Sequence, residues 1–160
     1  MATRAWVGLA LLALCGCGPE GADPSLMSES GALEVGYFDK AVFYPLTDGD
    51  PLRLVDGIQG GTWIMPGLRA EGLDLRVEVS GELRVDDEPI GWLVPGPLLL
   101  AEGPDGWLEV TELAMPVPDP ADGRAAFSAY DGAAAIFHLM LRDEAGRMAE
   151  VTRQVRLINR

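Results

Sequence analysis

Apolar and polar residues alternate along much of the chain after residue 33, and the apolar runs are short. Residues 73–79 show the pattern most clearly, because Leu73, Leu75, Val77 and Val79 alternate with charged residues. A period of two residues is typical of a β-strand with one buried face. We therefore predict a half-buried strand over this segment.

Similar short runs continue to the end of the chain and are separated by turn-forming residues. They predict further strands at 41–46, 52–55, 62–68, 82–85, 90–94, 98–101, 107–113, 133–142 and 148–157. Helix of ordinary length does not fit between the turns, although the alanine-rich segment 123–135 can hold one helical turn. Residues 115–120 carry three prolines, which exclude a central strand and indicate a stiff crossover connection.

These patterns predict a single all-β domain at 33–160. The final 30 residues contain a turn, Asp143-Glu144-Ala145-Gly146-Arg147, between two alternating segments. They resemble the last hairpin of bacterial immunoglobulin-like domains. That resemblance implies an antiparallel immunoglobulin-like β-sandwich of about seven to nine strands. The cysteine pair of antibody domains has no counterpart here, so the resemblance implies no cross-sheet disulfide.

The amino terminus has a different pattern from the rest of the chain. Arg4 precedes an apolar run at 5–14, which is too short to span a bilayer but suits a secretory signal. Leu14-Cys15-Gly16-Cys17 resembles the lipobox of bacterial lipoproteins. The resemblance implies a signal peptide at 1–16 and a diacylglycerol group on Cys17. Lipidation of Cys15 is the first alternative, and an ordinary secretory peptide that loses both cysteines is the second.

Residues 17–32 are predicted to form a lipidated, flexible tether. They are rich in Gly, Pro, Ser and acidic residues, and Leu26 and Met27 are their only sizeable apolar side chains after Cys17. Residue 18 is Gly rather than Asp, which in many Gram-negative lipoproteins allows export to the outer membrane. The predicted location is therefore the cell envelope, at the outer rather than the inner membrane.

The overall charge narrows the choice of partners. Twelve basic and 25 acidic residues give a formal net charge of -13. Nucleic acid is a poor partner for such a chain, because binding to its backbone requires clustered basic residues. The same charge disfavours anionic lipid headgroups, so the predicted membrane attachment depends on the lipid of Cys17.

The residue types present also make most catalytic and metal chemistry improbable. His138 is the only histidine, and zinc or copper sites usually need two or more His or Cys ligands. The sequence has no Gly-x-Ser-x-Gly segment for a serine nucleophile. Asp48, Asp50 and Asp56 lack the spacing of a twelve-residue calcium loop. We predict no catalytic residues, no metal site and no cofactor, and an ordinary strand position for His138.

Exposed tryptophans are the best remaining candidates for binding, because an indole stacks on sugars and anchors protein partners. We select Trp107 and Trp63 and expect Trp92 to be the most buried tryptophan. The predicted function is a non-catalytic, lipid-anchored envelope protein that binds a protein or a surface polysaccharide. One alternative is an accessory subunit that pairs through an edge strand at residues 98–100. The other is a glycan hydrolase with two paired carboxylates.

Overall fold

The computed structural model describes residues 30–57 and 60–159. The predicted signal peptide at 1–16 and the predicted lipidation site Cys17 lie outside the described residues. The same is true of the predicted tether up to residue 29. No helix among the described residues is long and apolar enough to cross a membrane.

Strands make up 60% of the described chain and helix 5%. The strands are β1 (Ala32–Asp39), β2 (Val42–Pro45), β3 (Pro51–Asp56), β4 (Thr62–Ile64), β5 (Gly67–Glu71), β6 (Arg76–Val85), β7 (Glu88–Leu99), β8 (Ala101–Glu102), β9 (Leu108–Val110), β10 (Met115–Val117), β11 (Ala134–Asp143) and β12 (Met148–Ile158). One helical turn, α1 (Ala126–Ala129), lies in the alanine-rich segment where the sequence allows one, and Pro104–Gly106 forms a short 3-10 turn. The all-β prediction is confirmed.

The strands form two sheets. The smaller sheet has the order β2-β1-β5-β9-β8, and the larger has the order β10-β4-β3-β12-β11-β6-β7. Every described strand pair is antiparallel except β3 with β12, which is parallel. The larger sheet curls until its two edge strands meet: a Cβ at Gly91 of β7 would lie 2.9 Å from the carbonyl oxygen of Pro116 in β10. This sheet is therefore close to a closed barrel.

Alternation along most of the strands produces a single core shared by both sheets. In β11, Phe137, Leu139 and Leu141 point inward and are fully buried, whereas Ile136 and His138 point outward. Other fully buried large side chains of the core are Leu52, Leu54, Ile64, Leu68, Leu83, Met115 and Leu157. Burying one such side chain stabilises the folded state by about 1.5–3 kcal/mol.

Several predicted strand boundaries are wrong for identifiable reasons. Strand β1 was not predicted, and it begins at Ala32, inside the predicted tether. Strand β6 begins only at Arg76, because the backbone N–H of Asp74 donates a hydrogen bond to the carboxylate of Asp143. The predicted strand at 62–68 is divided between β4 and β5.

The predicted strands at 90–94 and 98–101 are also wrong in extent. Strand β7 continues from one segment into the other and ends at Leu99, and the following two-residue strand β8 belongs to the smaller sheet. The proline-rich segment predicted as a connection contains the strand β10. Its edge position agrees with the rule that excludes proline from central strands.

Trp92 is exposed rather than buried, which overturns the sequence-based expectation. Its side chain is 49% exposed on the outer face of the larger sheet. Leu83 pairs with Gly91 whereas the next residue, Arg84, pairs with Pro89, so Ile90 is an extra residue in a β-bulge. The bulge resets the alternation of β7 and turns the indole outward.

Candidate functional site

A cleft of about 750 Å³ opens between the β1–β2 hairpin of the smaller sheet and strand β3 of the larger sheet, and Met65 and Glu112, which follow β4 and β9, complete its lining. Its volume lies within the range of about 300–1,000 Å³ typical of ligand sites. The cleft is lined by Tyr37, Phe38, Asp39, Tyr44, Arg53, Val55, Met65 and Glu112. It therefore combines three aromatic rings with one basic and two acidic side chains.

The aromatic wall of the cleft follows from the register of one hairpin. Tyr37 pairs with Tyr44 and Phe38 pairs with Phe43 across β1 and β2. The rings of Phe38 and Phe43 lie 5.0 Å apart between centroids in a tilted arrangement, which is favourable for aromatic pairs. Tyr44 is 54% exposed, so its ring is available to a ligand.

Tyr37 connects the two walls of the cleft. Its hydroxyl donates a hydrogen bond of 3.0 Å to the carbonyl oxygen of Pro51 and accepts one of 3.0 Å from the backbone N–H of Arg53. Burial raises the pKa of the Tyr37 hydroxyl and outweighs the opposing effect of the hydrogen bond from Arg53. The phenol therefore keeps its proton at neutral pH and holds β3 against β1.

The polar side chains of the cleft are open to solvent. Asp39, Arg53 and Glu112 are exposed, and among the described residues Arg53 forms no salt bridge. An unpaired guanidinium presents five N–H donors in a fixed plane, and the two carboxylates present only acceptors at neutral pH. The cleft can therefore donate hydrogen bonds to a ligand and accept them from it.

The turn beside the cleft has an unusual backbone. Lys40 and Ala41 connect β1 to β2, and both have positive φ angles, 48° and 67°. A two-residue hairpin of this type usually contains Asn or Gly, because a β-carbon is strained in the left-handed region. The strained turn directly follows Asp39 on the cleft rim.

Trp63, predicted as a binding residue, lies beside the cleft and does not line it. It pairs with Val55, which does line the cleft, and its side chain is half-buried. A Cβ built on Gly57 would lie 3.0 Å from the indole nitrogen, so the ring packs against that loop. Trp63 therefore extends the apolar surface next to Val55.

Trp107, the other predicted binding residue, lies outside the cleft on the smaller sheet. The guanidinium carbon of Arg69 sits 4.5 Å from the centre of its ring and 4.7 Å from that of Phe43. Arg69 also forms a 2.7 Å salt bridge with Glu34. Since Phe43 contacts Phe38, this cation-π stack supports the aromatic wall from behind.

Sequence reasoning missed the residues that line the cleft, although a signal for them exists. Four of the seven Phe and Tyr residues lie within 37–44, as two aromatic pairs placed symmetrically about Lys40-Ala41. Two aromatic pairs that flank a two-residue turn meet across the hairpin. That symmetry alone is enough to indicate an aromatic surface on this hairpin.

The remaining chemical candidates lie elsewhere. The acidic run at 86–88 lies away from the cleft: Asp86 and Asp87 form the turn between β6 and β7, and Glu88 begins β7. His138 is half-exposed, with its Nε2 3.7 Å from Glu150 Oε2, which confirms the predicted strand position on a partly covered face. In residues 30–57 and 60–159, no group of three or more His, Cys, Asp or Glu side chains is arranged to hold a metal ion.

The fold and this site define an all-β protein with an open aromatic cleft between the β1–β2 hairpin of the smaller sheet and strand β3 of the larger sheet. Comparison with known proteins adds no relative: no protein-family model, curated protein or solved structure matches the chain.

Proposed function

We propose that this chain is a non-catalytic, lipid-anchored protein of the cell envelope that binds a surface polysaccharide in the aromatic cleft. The exposed ring of Tyr44, which lines the cleft together with Tyr37 and Phe38, is the observation that carries the proposal. Aromatic rings stack on the C–H faces of sugars, and large aromatic side chains dominate binding energies. Arg53 and the carboxylates of Asp39 and Glu112 supply the hydrogen bonds that sugar hydroxyl and amide groups require.

The charge of the protein favours a neutral polymer as the ligand. The net charge of -13 opposes the approach of a polyanion, and Arg53 is the only basic side chain among the described residues that line the cleft. A neutral polysaccharide avoids this repulsion and still offers hydroxyl and amide groups. A folded protein partner is the second ligand class that the sequence leaves open, but a cleft of this size suits an extended chain better.

Membrane attachment through Cys17 and an outer-membrane location complete the proposal. They are supported by the resemblance of residues 14–17 to a lipobox and by Gly18. We also propose that the domain is a variant of the immunoglobulin-like sandwich. The support is its two packed sheets and the parallel pairing of β3 with the last strand, β12.

Binding can be tested with the full-length protein in detergent micelles and a soluble oligomer of N-acetylglucosamine, a neutral probe. We expect binding to weaken about tenfold in Tyr44→Ala, because a stacking ring in a binding hot spot contributes more than ~1 kcal/mol. Isothermal titration measures the dissociation constants. Polygalacturonate, an anionic polymer, is expected to bind more weakly than the neutral oligomer.

Trp92→Ala is the matched control, since Trp92 is also an exposed aromatic side chain but lies outside the cleft. We expect this variant to bind like the unaltered protein. Equal losses in Tyr44→Ala and Trp92→Ala, or no binding of any polysaccharide, would refute the cleft as the binding site. Lipidation is tested separately by mass spectrometry of the mature protein. We expect a lipid adduct on Cys17, and Cys17→Ala should abolish it.

The glycan hydrolase alternative is retained because Asp39 and Glu112 line the same cleft. A glycosidase needs two carboxyl groups on either side of the scissile bond. If the protein released new reducing ends from the oligomer, and Asp39→Asn or Glu112→Gln abolished that release, the non-catalytic proposal would be wrong.

The accessory-subunit alternative is favoured by one observation. Leu99 is 70% exposed at the end of β7, the edge strand of the larger sheet. However, Pro95 and Pro97 in the same strand lack the N–H groups that another strand would need. If Leu99→Lys separated the protein from a stoichiometric envelope partner, this function would replace the proposed one.

A further inference from the structure

A second concave site lies on the outer face of the larger sheet, away from the aromatic cleft. It has a volume of about 580 Å³ and crosses β11 from the β6–β7 turn to β12. Its lining includes Arg84, Asp86, Asp87, Ala134, Ile136 and Arg156. We call this site the outer groove.

The floor of the outer groove is apolar and open. Ala134 and Ile136 are exposed on the outward side of β11, and Ile136 is 40% exposed. Gly49 and Gly132 form part of the rim, and a Cβ built on either would meet no atom within 4 Å. The rim of the groove is therefore unobstructed at these two positions.

The two ends of the outer groove have opposite charge. At the β6–β7 turn, Asp86 and Asp87 supply two carboxylates. Arg84 is nearby, but its guanidinium is engaged by the backbone carbonyl of Asp87 and by Glu82, 3.4 Å away. Among the described residues Arg84 forms no salt bridge with either carboxylate, and with two carboxylates against one guanidinium this end keeps a net negative charge.

The opposite end carries a free cation. Arg156 lies on β12, directly across from Ala134 in the strand register, and is exposed. Among the described residues it forms no salt bridge. Strands β6 and β12 flank β11, and neighbouring strands are about 4.8 Å apart, so the backbones of β6 and β12, on the two sides of the groove, are about 10 Å apart.

We infer that the outer groove binds a short apolar peptide of two or three residues with free termini. Its ammonium group would face the Asp86-Asp87 turn, and its carboxylate would receive the paired N–H donors of Arg156. Its apolar side chains would lie on Ala134 and Ile136. A zwitterion of this length matches both the charge of each end and the distance between the ends. This inference does not depend on the proposed function of the aromatic cleft.

The test uses the ¹⁵N-labelled full-length protein in detergent micelles and the tripeptide Ala-Leu-Ala as the probe. We expect the peptide to shift backbone amide signals in β11, β12 and the β6–β7 turn. Arg156→Glu should weaken the affinity at least about tenfold, because hydrogen bonds to a charged group contribute about 1.5–3 kcal/mol. The same peptide blocked at both termini should bind at least about tenfold more weakly.

Arg142→Glu is the matched control. Like Arg156, Arg142 is an exposed arginine that forms no salt bridge among the described residues. It lies on β11, outside the outer groove. We expect this variant to bind like the unaltered protein, and Arg156→Gln provides a milder second variant if Arg156→Glu fails to fold. Equal binding of free and blocked peptide would overturn the inference. So would equal losses in the two glutamate variants, or no shifted signals at the solubility limit of the peptide.

Discussion

Two hairpins of this protein solve the same problem of reversing the chain in different ways. The β1–β2 hairpin turns at Lys40 and Ala41, two residues with β-carbons in the left-handed region. The β11–β12 hairpin instead places Gly146 in that region, at φ 83°. The first turn lies beside the aromatic cleft, and the second closes the central hairpin of the larger sheet.

The β11–β12 turn is also held by a buried carboxylate. The side chain of Asp143 is inaccessible to solvent and accepts hydrogen bonds from the backbone N–H and Nε of Arg147, at 2.9 and 2.6 Å. Arg147 reaches on to Asp74, with 2.6 Å between Nη2 and Oδ1. We call these three residues the Asp143 clamp. The β11–β12 turn is therefore held by side-chain hydrogen bonds without a strained β-carbon, whereas the β1–β2 turn places two β-carbons in the left-handed region beside the candidate site.

Breaking the Asp143 clamp should have the largest effect on stability. Asp143→Ala leaves the backbone N–H groups of Asp74 and Arg147 without their acceptor. Unsatisfied backbone groups and a broken ion pair both lower stability, but solvent reduces the cost of the ion pair because Arg147 is about a third exposed. We therefore expect a loss of about 2–3 kcal/mol in the free energy of unfolding. Urea denaturation followed by circular dichroism measures it. A loss below ~1 kcal/mol would show that the clamp is not important for stability.

The contribution of the Asp143 clamp should disappear in acid. Burial acts to raise the pKa of Asp143, but the side-chain and backbone hydrogen bonds from Arg147 outweigh it, so the pKa in the folded protein is below its ordinary value. The stabilisation is therefore fully present above about pH 4 and is lost as the pH falls through the lower, folded-state pKa. Urea denaturation of the unaltered protein and Asp143→Asn should show a gap at pH 7 that narrows below pH 4. A constant gap would contradict the ionic role of Asp143.

Relieving the strain in the β1–β2 turn should have the smallest effect, and in the opposite direction. Ala41→Gly removes the β-carbon from a residue at φ 67° and should raise the free energy of unfolding by about 0.5–1 kcal/mol. The reciprocal variant Gly146→Ala should lower it by about 1 kcal/mol, because it introduces a β-carbon at φ 83°. Thermal denaturation compares the two. If both variants changed the melting temperature in the same direction, the contrast between the turns would be incorrect.

Much of the strand content of this protein was predictable because one-sided burial produces a local pattern. Strands β11 and β12 alternate cleanly, and the sequence places both within one or two residues. The pattern fails where a local irregularity changes the alternation. The bulge at Ile90 turns Trp92 outward, and the hydrogen bond from Asp74 to Asp143 delays the start of β6.

The tryptophans selected from the sequence do not line the candidate site. Exposed aromatic residues were expected to bind, yet Trp107 is engaged by Arg69 and Trp63 lies beside the cleft. Tyr44 and Phe38 line it instead. Their hairpin is a local feature, but the opposite wall comes from β3 together with Met65 and Glu112, and no local pattern records which segments face each other.

The sequence by itself determined the all-β class, the positions of most inward-facing side chains, the acidic charge and the lipobox-like start of the chain. These are properties of neighbouring residues, and alternation, composition and short motifs express them directly. Only the tertiary structure decided the near-closure of the larger sheet, the cleft around Tyr44 and the opposed charges of the outer groove. Each of these depends on contacts between residues distant in the chain, which are selected by the packing of the shared core.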